Sequence, residues 1–212
     1  MSNKGFFITF EGGEGAGKST QIKLLADHLQ SQGHDIVTTR EPGGTPAAEE
    51  IRDLLSHEEW GGNWSQDAEL LLFFVARSMH IKDVIAPALE AGKIILCDRY
   101  IDSTRVYQGA LHKIDMSFIK DLEKRVVGNY IPNITFLLDI PVETVLERVS
   151  RRGARDHYDQ QDESNHQILR DGFLDLAKEE YDRFEIIDAT KEIETIAQNI
   201  AQITVERLSH AV

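Results

Sequence analysis

The chain of 212 residues contains one cysteine, Cys97, so no internal disulfide can form. A single thiol fits a reducing compartment, and a cytoplasmic location is the expectation. Long apolar runs are missing, and none approaches the roughly 20 residues that a membrane span needs. Met1-Ser2-Asn3-Lys4 lacks the apolar stretch of a signal peptide, so no export is expected. Basic residues are scarce: 23 Lys and Arg stand against 36 Asp and Glu, a formal net charge of −13. Binders of nucleic acid usually present a basic surface, so no polynucleotide partner is expected. A nucleotide is still compatible, because a few convergent arginines can hold a small anion beneath an acidic exterior. No repeat, low-complexity tract or inter-domain linker is visible, and residues 1–212 read as one domain.

What is present is an alternation of short apolar runs and helical patterns. Gly5–Phe10, Asp35–Thr39, Ile94–Cys97, Ile134–Leu138 and Glu185–Asp188 read as five strands. Helices are predicted over Ser19–Gln32, Pro46–Ser56, His166–Phe184 and Ile193–Leu208. A longer one is predicted over Asp67–Ala91, kinked at Pro87 and stopped by Gly92. Pro141 fits the first turn of another. The pattern predicts right-handed βαβ units: an α/β fold of three layers, α/β/α, around a five-stranded parallel sheet. Ligands in such folds bind at the carboxyl ends of the strands, where Glu11, Arg40, Asp98 and Asp139 fall.

Gly12-Gly13-Glu14-Gly15-Ala16-Gly17-Lys18-Ser19, followed by Thr20, satisfies G-x-x-x-x-G-K-[ST] between a strand and a helix. Small residues let backbone N–H groups turn onto phosphate oxygens, and the helix adds the positive end of its dipole. Lys18 supplies charge to the β- and γ-phosphates, and the Ser19 hydroxyl suits Mg²⁺. This is a P-loop NTPase signature. GTPases, motors, transporters and small-molecule kinases all share it. No Asn-Lys-x-Asp guanine reader and no transporter Ser-Gly-Gly-Gln signature is present.

Further candidates cluster near the same edge. Asp98-Arg99-Tyr100 ends the third strand, where an acid can hold Mg²⁺ and an arginine can bridge phosphates; a structural ion pair is the other reading. Arg40 and Arg52 can hold a second anion or lie on a solvated face. Phe73 and Arg77, at i and i+4, share a helix face and can stack on a base and bond to its edge. Phe73 and Phe74 also suit a core. Arg148, Arg151, Arg152 and Arg155 crowd a charged insert, residues 148–165, that reads as a solvated helix end or as a mobile basic lid.

Together these motifs resemble the bacterial thymidylate kinases (dTMP kinases), over Phe6 to about Ala189. The resemblance lies in Phe10-Glu11-Gly12 with its P-loop, Thr39-Arg40-Glu41-Pro42-Gly43-Gly44-Thr45, Leu72-Phe73 with Arg77, Asp98-Arg99-Tyr100, and Ser103-Thr104 with Tyr107-Gln108-Gly109. It implies transfer of the γ-phosphoryl group of ATP to dTMP with Mg²⁺ as cofactor, held at Ser19 and Asp98. Arg40, Arg52 and Arg99 would hold the dTMP phosphate, Phe73 would stack on thymine, and Arg77 would bond its carbonyl edge. Ser103, Thr104 and Gln108 would line the base pocket, Tyr107 would sit by the deoxyribose, and Pro42 would bound the pocket. Glu11 and Asp98 would help order phosphates, sugar and Mg²⁺. A homodimer is implied, through helices that include the one near Asp67–Ala91.

The sequence departs from the family pattern in the lid. His157 stands where an arginine is expected, within Asp156-His157-Tyr158-Asp159. Arg155, Arg152 or Arg151 would substitute for it, Arg155 first. Two rivals remain: a P-loop kinase for another monophosphate or a deoxynucleoside, and a nucleotide-dependent switch.

Overall fold

A computed structural model describes residues 5–56, 64–152 and 162–210, with only the backbone for 149–152. Five strands, β1 (Phe6–Glu11), β2 (Ile36–Arg40), β3 (Ile94–Asp98), β4 (Ile134–Asp139) and β5 (Phe184–Asp188), form one sheet. Their order is β2-β3-β1-β4-β5, and every pairing is parallel. The register sets Phe10 and Arg40 beside Asp98, Glu11 beside Leu137, and Asp139 beside Asp188. The three acids and one arginine expected at strand ends therefore lie along one edge. Every residue of β1 is buried, because strands flank it on both sides and helices cover both faces. The outer strands β2 and β5 are partly exposed.

Phe6, Ile8 and Phe10 of β1 pack with Leu96, Phe136 and Leu138 under α1 (Lys18–Ser31) and α9 (Ile193–His210). Phe7, Ile95 and Cys97 face the other way. They meet Ile81, Ile85 and Ala88, while Leu137 meets Leu169 and Phe173 of α8 (Glu163–Glu179). Each such aliphatic or aromatic side chain stabilises the fold by about 1.5–3 kcal/mol through burial. The expected three layers are present.

Two helical predictions change. The pattern over Asp67–Ala91 becomes α3 (Gln66–His80), a π turn (Ile81–Ile85) and α4 (Ala86–Glu90). Pro87 offers no N–H, and the adjustment falls just before it: the Ala86 N–H bonds Ile81 O. Gly92, at φ 74°, stops the run as expected. The helix predicted over His166–Phe184 begins earlier, because the Asp162 carboxylate takes the Asn165 N–H, and Phe184 belongs to β5. Between β3 and β4 the structure adds helices that the sequence pattern did not show. These are α5 (Ile101–Thr104), which runs into a π segment (Arg105–Leu111), and α6 (Met116–Val126). The remaining helices are α2 (Pro46–Ser56) and α7 (Val142–Arg152). The segment expected to form a lid, residues 148–165, takes in the end of α7 and the start of α8, and residues 153–161 are outside the described residues.

A buried ion network fixes α5 and its π segment. Arg183 donates to both oxygens of Asp102 at 2.8 and 2.7 Å, and Arg105 forks onto Glu123 at 2.8 and 2.7 Å. Arg105 also reaches Asp102 at 3.4 Å. Those side chains anchor the segment whose opposite face carries Ser103, Tyr107 and Gln108.

Candidate active site

The P-loop connects β1 to α1. Gly12 has φ 129°, and a Cβ there would meet Leu138 O at 2.6 Å, so only glycine fits. Lys18 arches over the loop, its Nζ donating to Gly12 O and Gly13 O, both at 3.0 Å. Burial, and then the Arg99 charge, depress its pKa. Ser19 and Thr20 are exposed at the start of α1. The Ser19 hydroxyl donates to Asp98 Oδ2 at 2.8 Å, across 79 residues of chain. Two residues expected to share a metal are thus brought together. Both offer hard oxygen, which suits Mg²⁺; among the described residues no cluster of three or more His, Cys, Asp or Glu could hold a metal.

Beside the loop lies a cleft enclosing about 710 Å³ with its open mouth. Pro42, Arg52, Phe73, Arg77, Arg99, Ser103, Thr104, Tyr107 and Gln108 line it, as expected of a second-substrate pocket. Glu14, Glu41, Leu55, Ser56 and Tyr100 complete the lining. Phe73 faces the cleft, whereas Phe74 is 3% exposed and joins a core with Leu70 and Ile119. The helix face of Phe73 and Arg77 therefore belongs to the site and that of Phe74 to the interior.

Arg77 is held on three sides. Its Nε donates to Glu41 Oε2 at 2.7 Å, and its Nη2 donates to Tyr100 O at 3.2 Å and to Thr104 Oγ1 at 3.0 Å. Nη1 is buried without a hydrogen-bond partner. The rings of Phe74 and Tyr100 lie 5.2 and 5.3 Å from its guanidinium. Glu41 is in turn bonded by His80 Nδ1 at 2.8 Å, and His80 Nε2 lies 2.7 Å from Thr39 Oγ1. Gly44 closes on this chain: at φ 85°, a Cβ would lie 2.6 Å from Thr39 Oγ1.

Arg99 takes a left-handed backbone, φ 65°, with its N–H on Phe10 O at 3.0 Å. Its guanidinium bonds the Glu14 carboxylate, Ser103 Oγ at 3.1 Å and the Tyr107 hydroxyl at 3.2 Å. Burial opposes its charge, but Glu14, Tyr107, Glu11 and Asp98 outweigh that and hold its pKa well above the usual value. Glu11 does not line the cleft. It is fully buried and accepts from Tyr100 N at 2.8 Å, Ser103 N at 3.2 Å and Ser103 Oγ at 2.6 Å. Burial, then Asp102, push its pKa from 4.5 to about 7.

Arg40 does not line the cleft either. Its side chain is 54% exposed and bonds Glu49 Oε2 at 2.9 Å; Glu49 Oε1 takes the Gly44 N–H. Arg52 instead donates to Pro42 O at 2.9 Å. Asp139 accepts a two-pronged bond from Arg170, at 2.7 and 2.9 Å, and reads as a structural ion pair. Arg152 ends α7, and nothing beyond its backbone is described; Arg155 and His157 lie outside the described residues.

Sequence reasoning gave no separate role to Arg148, which bonds Gly15 O at 3.0 Å and Ala189 O at 3.2 Å. Its signal was available: the buried Val142 and Val145 precede it at three-residue steps, so it continues the inward stripe of α7. Glu14, expected at the ATP phosphates, turns its carboxylate to Arg99 and Tyr107.

A family model described as Thymidylate kinase matches residues 10–200. The chain is 47% identical over 205 residues to the thymidylate kinase of Caulobacter vibrioides, covering 97% of this chain and 98% of that one. It is 48% identical over 203 residues to that of Bartonella quintana, covering 94% of each. The chain belongs to the thymidylate kinase family. The crystal structure of thymidylate kinase from Ehrlichia chaffeensis superimposes with a TM-score of 0.78 at 34% identity, covering 95% of this chain and 99% of that one. The expected P-loop NTPase fold is the fold of this thymidylate kinase family member.

Proposed function

We propose that the chain transfers the γ-phosphoryl group of ATP to the 5′-phosphate of dTMP, giving ADP and dTDP. The observation that carries it is the position of Arg99, which bonds P-loop Glu14 while lining the cleft. One guanidinium thus stands between a donor cradle and an acceptor pocket.

The P-loop N–H groups and Lys18 would hold the ATP phosphates; Lys18 would exchange its carbonyl partners for phosphate oxygens. Phe73 would stack on the base, with Arg77 and Gln108 at its edge. Ser103 and Thr104 would line that pocket, and Tyr107 would crowd a ribose 2′-hydroxyl. Arg52 and Arg99 would take the acceptor phosphate; Arg40 reaches it only by leaving Glu49. An acceptor oxygen attacks the γ-phosphorus as the bond to the β–γ bridging oxygen breaks, and ADP keeps that electron pair. The acceptor is already anionic at neutral pH, so no covalent intermediate is needed. Ser19 and Asp98 would hold Mg²⁺, which when bound neutralises phosphate charge. Arg99 and a lid arginine, Arg155 or Arg152, would offset the charge that develops in transfer. The lid would span about 148–165 within a single domain of residues 1–212.

No described helix is long and apolar enough to cross a membrane. The single cysteine supports a cytoplasmic enzyme. Leu71, Val75 and Met79 of α3 expose 46%, 49% and 36% of their surface at helical spacing, which supports a homodimer through that face. Sedimentation should then show a dimer for the unmodified chain and a monomer for Val75→Lys; a monomeric unmodified chain would remove the dimer, and a dimeric variant would remove this face from the interface.

ADP release with Mg-ATP and a panel of monophosphates and nucleosides tests the activity. Turnover should depend on dTMP. Hydrolysis indifferent to every acceptor would support a switch, and preference for another acceptor would reassign the substrate.

A further inference from the structure

The base-reading side chains in the cleft are themselves oriented by carboxylates. Gln108 Nε2 donates to Glu69 Oε1 at 2.7 Å, and Glu69 is 6% exposed. An ionised carboxylate only accepts hydrogen bonds, so the end of the Gln108 amide that faces Glu69 must be the nitrogen. Its carbonyl oxygen, at the opposite end, is turned away from Glu69. Arg77 offers only donors, and Glu41 occupies its Nε while Tyr100 and Thr104 occupy Nη2. Nη1 is left without a protein partner on a residue that lines the cleft. Of this pair, Gln108 thus offers the pocket an acceptor and Arg77 a donor.

We propose that Glu69 is a specificity-determining residue that acts without touching the substrate: it locks the Gln108 amide so that the pocket accepts a ring N–H beside a carbonyl and rejects the reverse order. Uracil-type bases, thymine among them, present a ring N–H next to a carbonyl. A cytosine base presents a bare ring nitrogen next to an amino group, which inverts both positions. Arg77 cannot be inverted. Gln108 can, by a half-turn of its amide, and the Glu69 carboxylate opposes that turn. The inference rests on the dTMP reading of the cleft and adds a residue to it. Glu69 and Gln108 are 39 residues apart, on α3 and the π segment, so the lock depends on how those two elements pack. His112 Nδ1 lies 3.9 Å from the same Glu69 oxygen.

The test is Glu69→Gln, whose amide can pair with either end of Gln108. We expect kcat/KM for dTMP relative to dCMP to fall by about tenfold, the cost of one misdirected hydrogen bond. The loss should appear mainly as a higher KM for dTMP, with kcat reduced less than KM is raised. Glu69→Asp, which restores the acceptor-only character, should recover part of the ratio. A ratio unchanged in Glu69→Gln, or parallel losses for dTMP and dCMP, would overturn the lock; parallel losses are what a merely loosened fold gives. If the unmodified chain shows no dTMP-dependent turnover, the function proposed above fails and takes the lock with it. Turnover with an unchanged ratio overturns the lock alone.

Discussion

The Glu11 carboxylate accepts the backbone N–H of Tyr100 at 2.8 Å, and so fixes the residue directly after the left-handed Arg99. The same carboxylate accepts the Ser103 hydroxyl at 2.6 Å, and that oxygen receives an N–H of Arg99 at 3.1 Å. A non-glycine residue at φ 65° persists only where neighbours hold it. Glu11 therefore supports Arg99 from below, through backbone and side chain together.

Glu11→Gln is expected to lower kcat by about tenfold, a loss near 1.4 kcal/mol in positioning of Arg99. Stability carries a separate signature. The Glu11 pKa is raised from 4.5 to about 7 by burial, then by Asp102. Between those values the folded chain holds a proton that the unfolded chain has released, so its stability falls as pH rises through that window. Relative to the non-titrating Gln variant, wild type should lose about 3 kcal/mol between pH 4.5 and 7. Urea unfolding of both proteins at pH 5, 6, 7 and 8 measures this, and a constant difference would refute it.

Arg99→Ala should lower kcat by about 10²–10³ while leaving the thermal midpoint within a few degrees. Arg99→Lys should not restore the rate, because a single ammonium cannot serve Glu14, Ser103 and a phosphate together. Steady-state kinetics beside thermal melting separate the two quantities. Near-normal kcat in the alanine variant would remove Arg99 from the chemistry.

Arg148 ties α7 to Gly15 of the P-loop and to Ala189 after β5. Arg148→Ala frees the loop carbonyl and should raise KM for ATP about tenfold, with KM for dTMP moved far less. Initial rates with each substrate varied in turn decide it, and equal rises in both constants would count against a donor-side role.

The lid charge is open to a direct scan. Arg151, Arg152, Arg155 and His157 replaced singly by Ala, with kcat followed across pH, should show one dominant loss, at Arg155 or Arg152. A loss at His157 instead should carry a pH dependence, since imidazole is charged only below its pKa. Equal activity in all four variants would dismiss a lid cation.

The central strands were readable because flanking strands and helices bury both faces of β1, β3 and β4, leaving uninterrupted apolar runs. The P-loop was readable because backbone demands leave only glycine at positions such as Gly12. Residues 101–126 were not, because polar groups share the inward positions with Ile101, Val106 and Ile119: Asp102, Arg105 and Glu123 pair with one another there and hide the helical period. Arg40 illustrates a different limit: its place at a strand end was visible, but its attachment to Glu49 depends on how the 42–46 loop folds back. Glu14, Glu41 and Glu69 could not be assigned partners from sequence, since Arg99, Arg77 and Gln108 reach them only through tertiary packing.

The unpartnered Nη1 of Arg77 sets a rule for designing inhibitors of this enzyme. A compound that fills the cleft with an aromatic ring but brings no oxygen to that nitrogen leaves a buried cation short of a bond, at about 1–3 kcal/mol. One carbonyl, placed there on a neutral scaffold, removes that penalty without the phosphate that keeps nucleotides from entering cells.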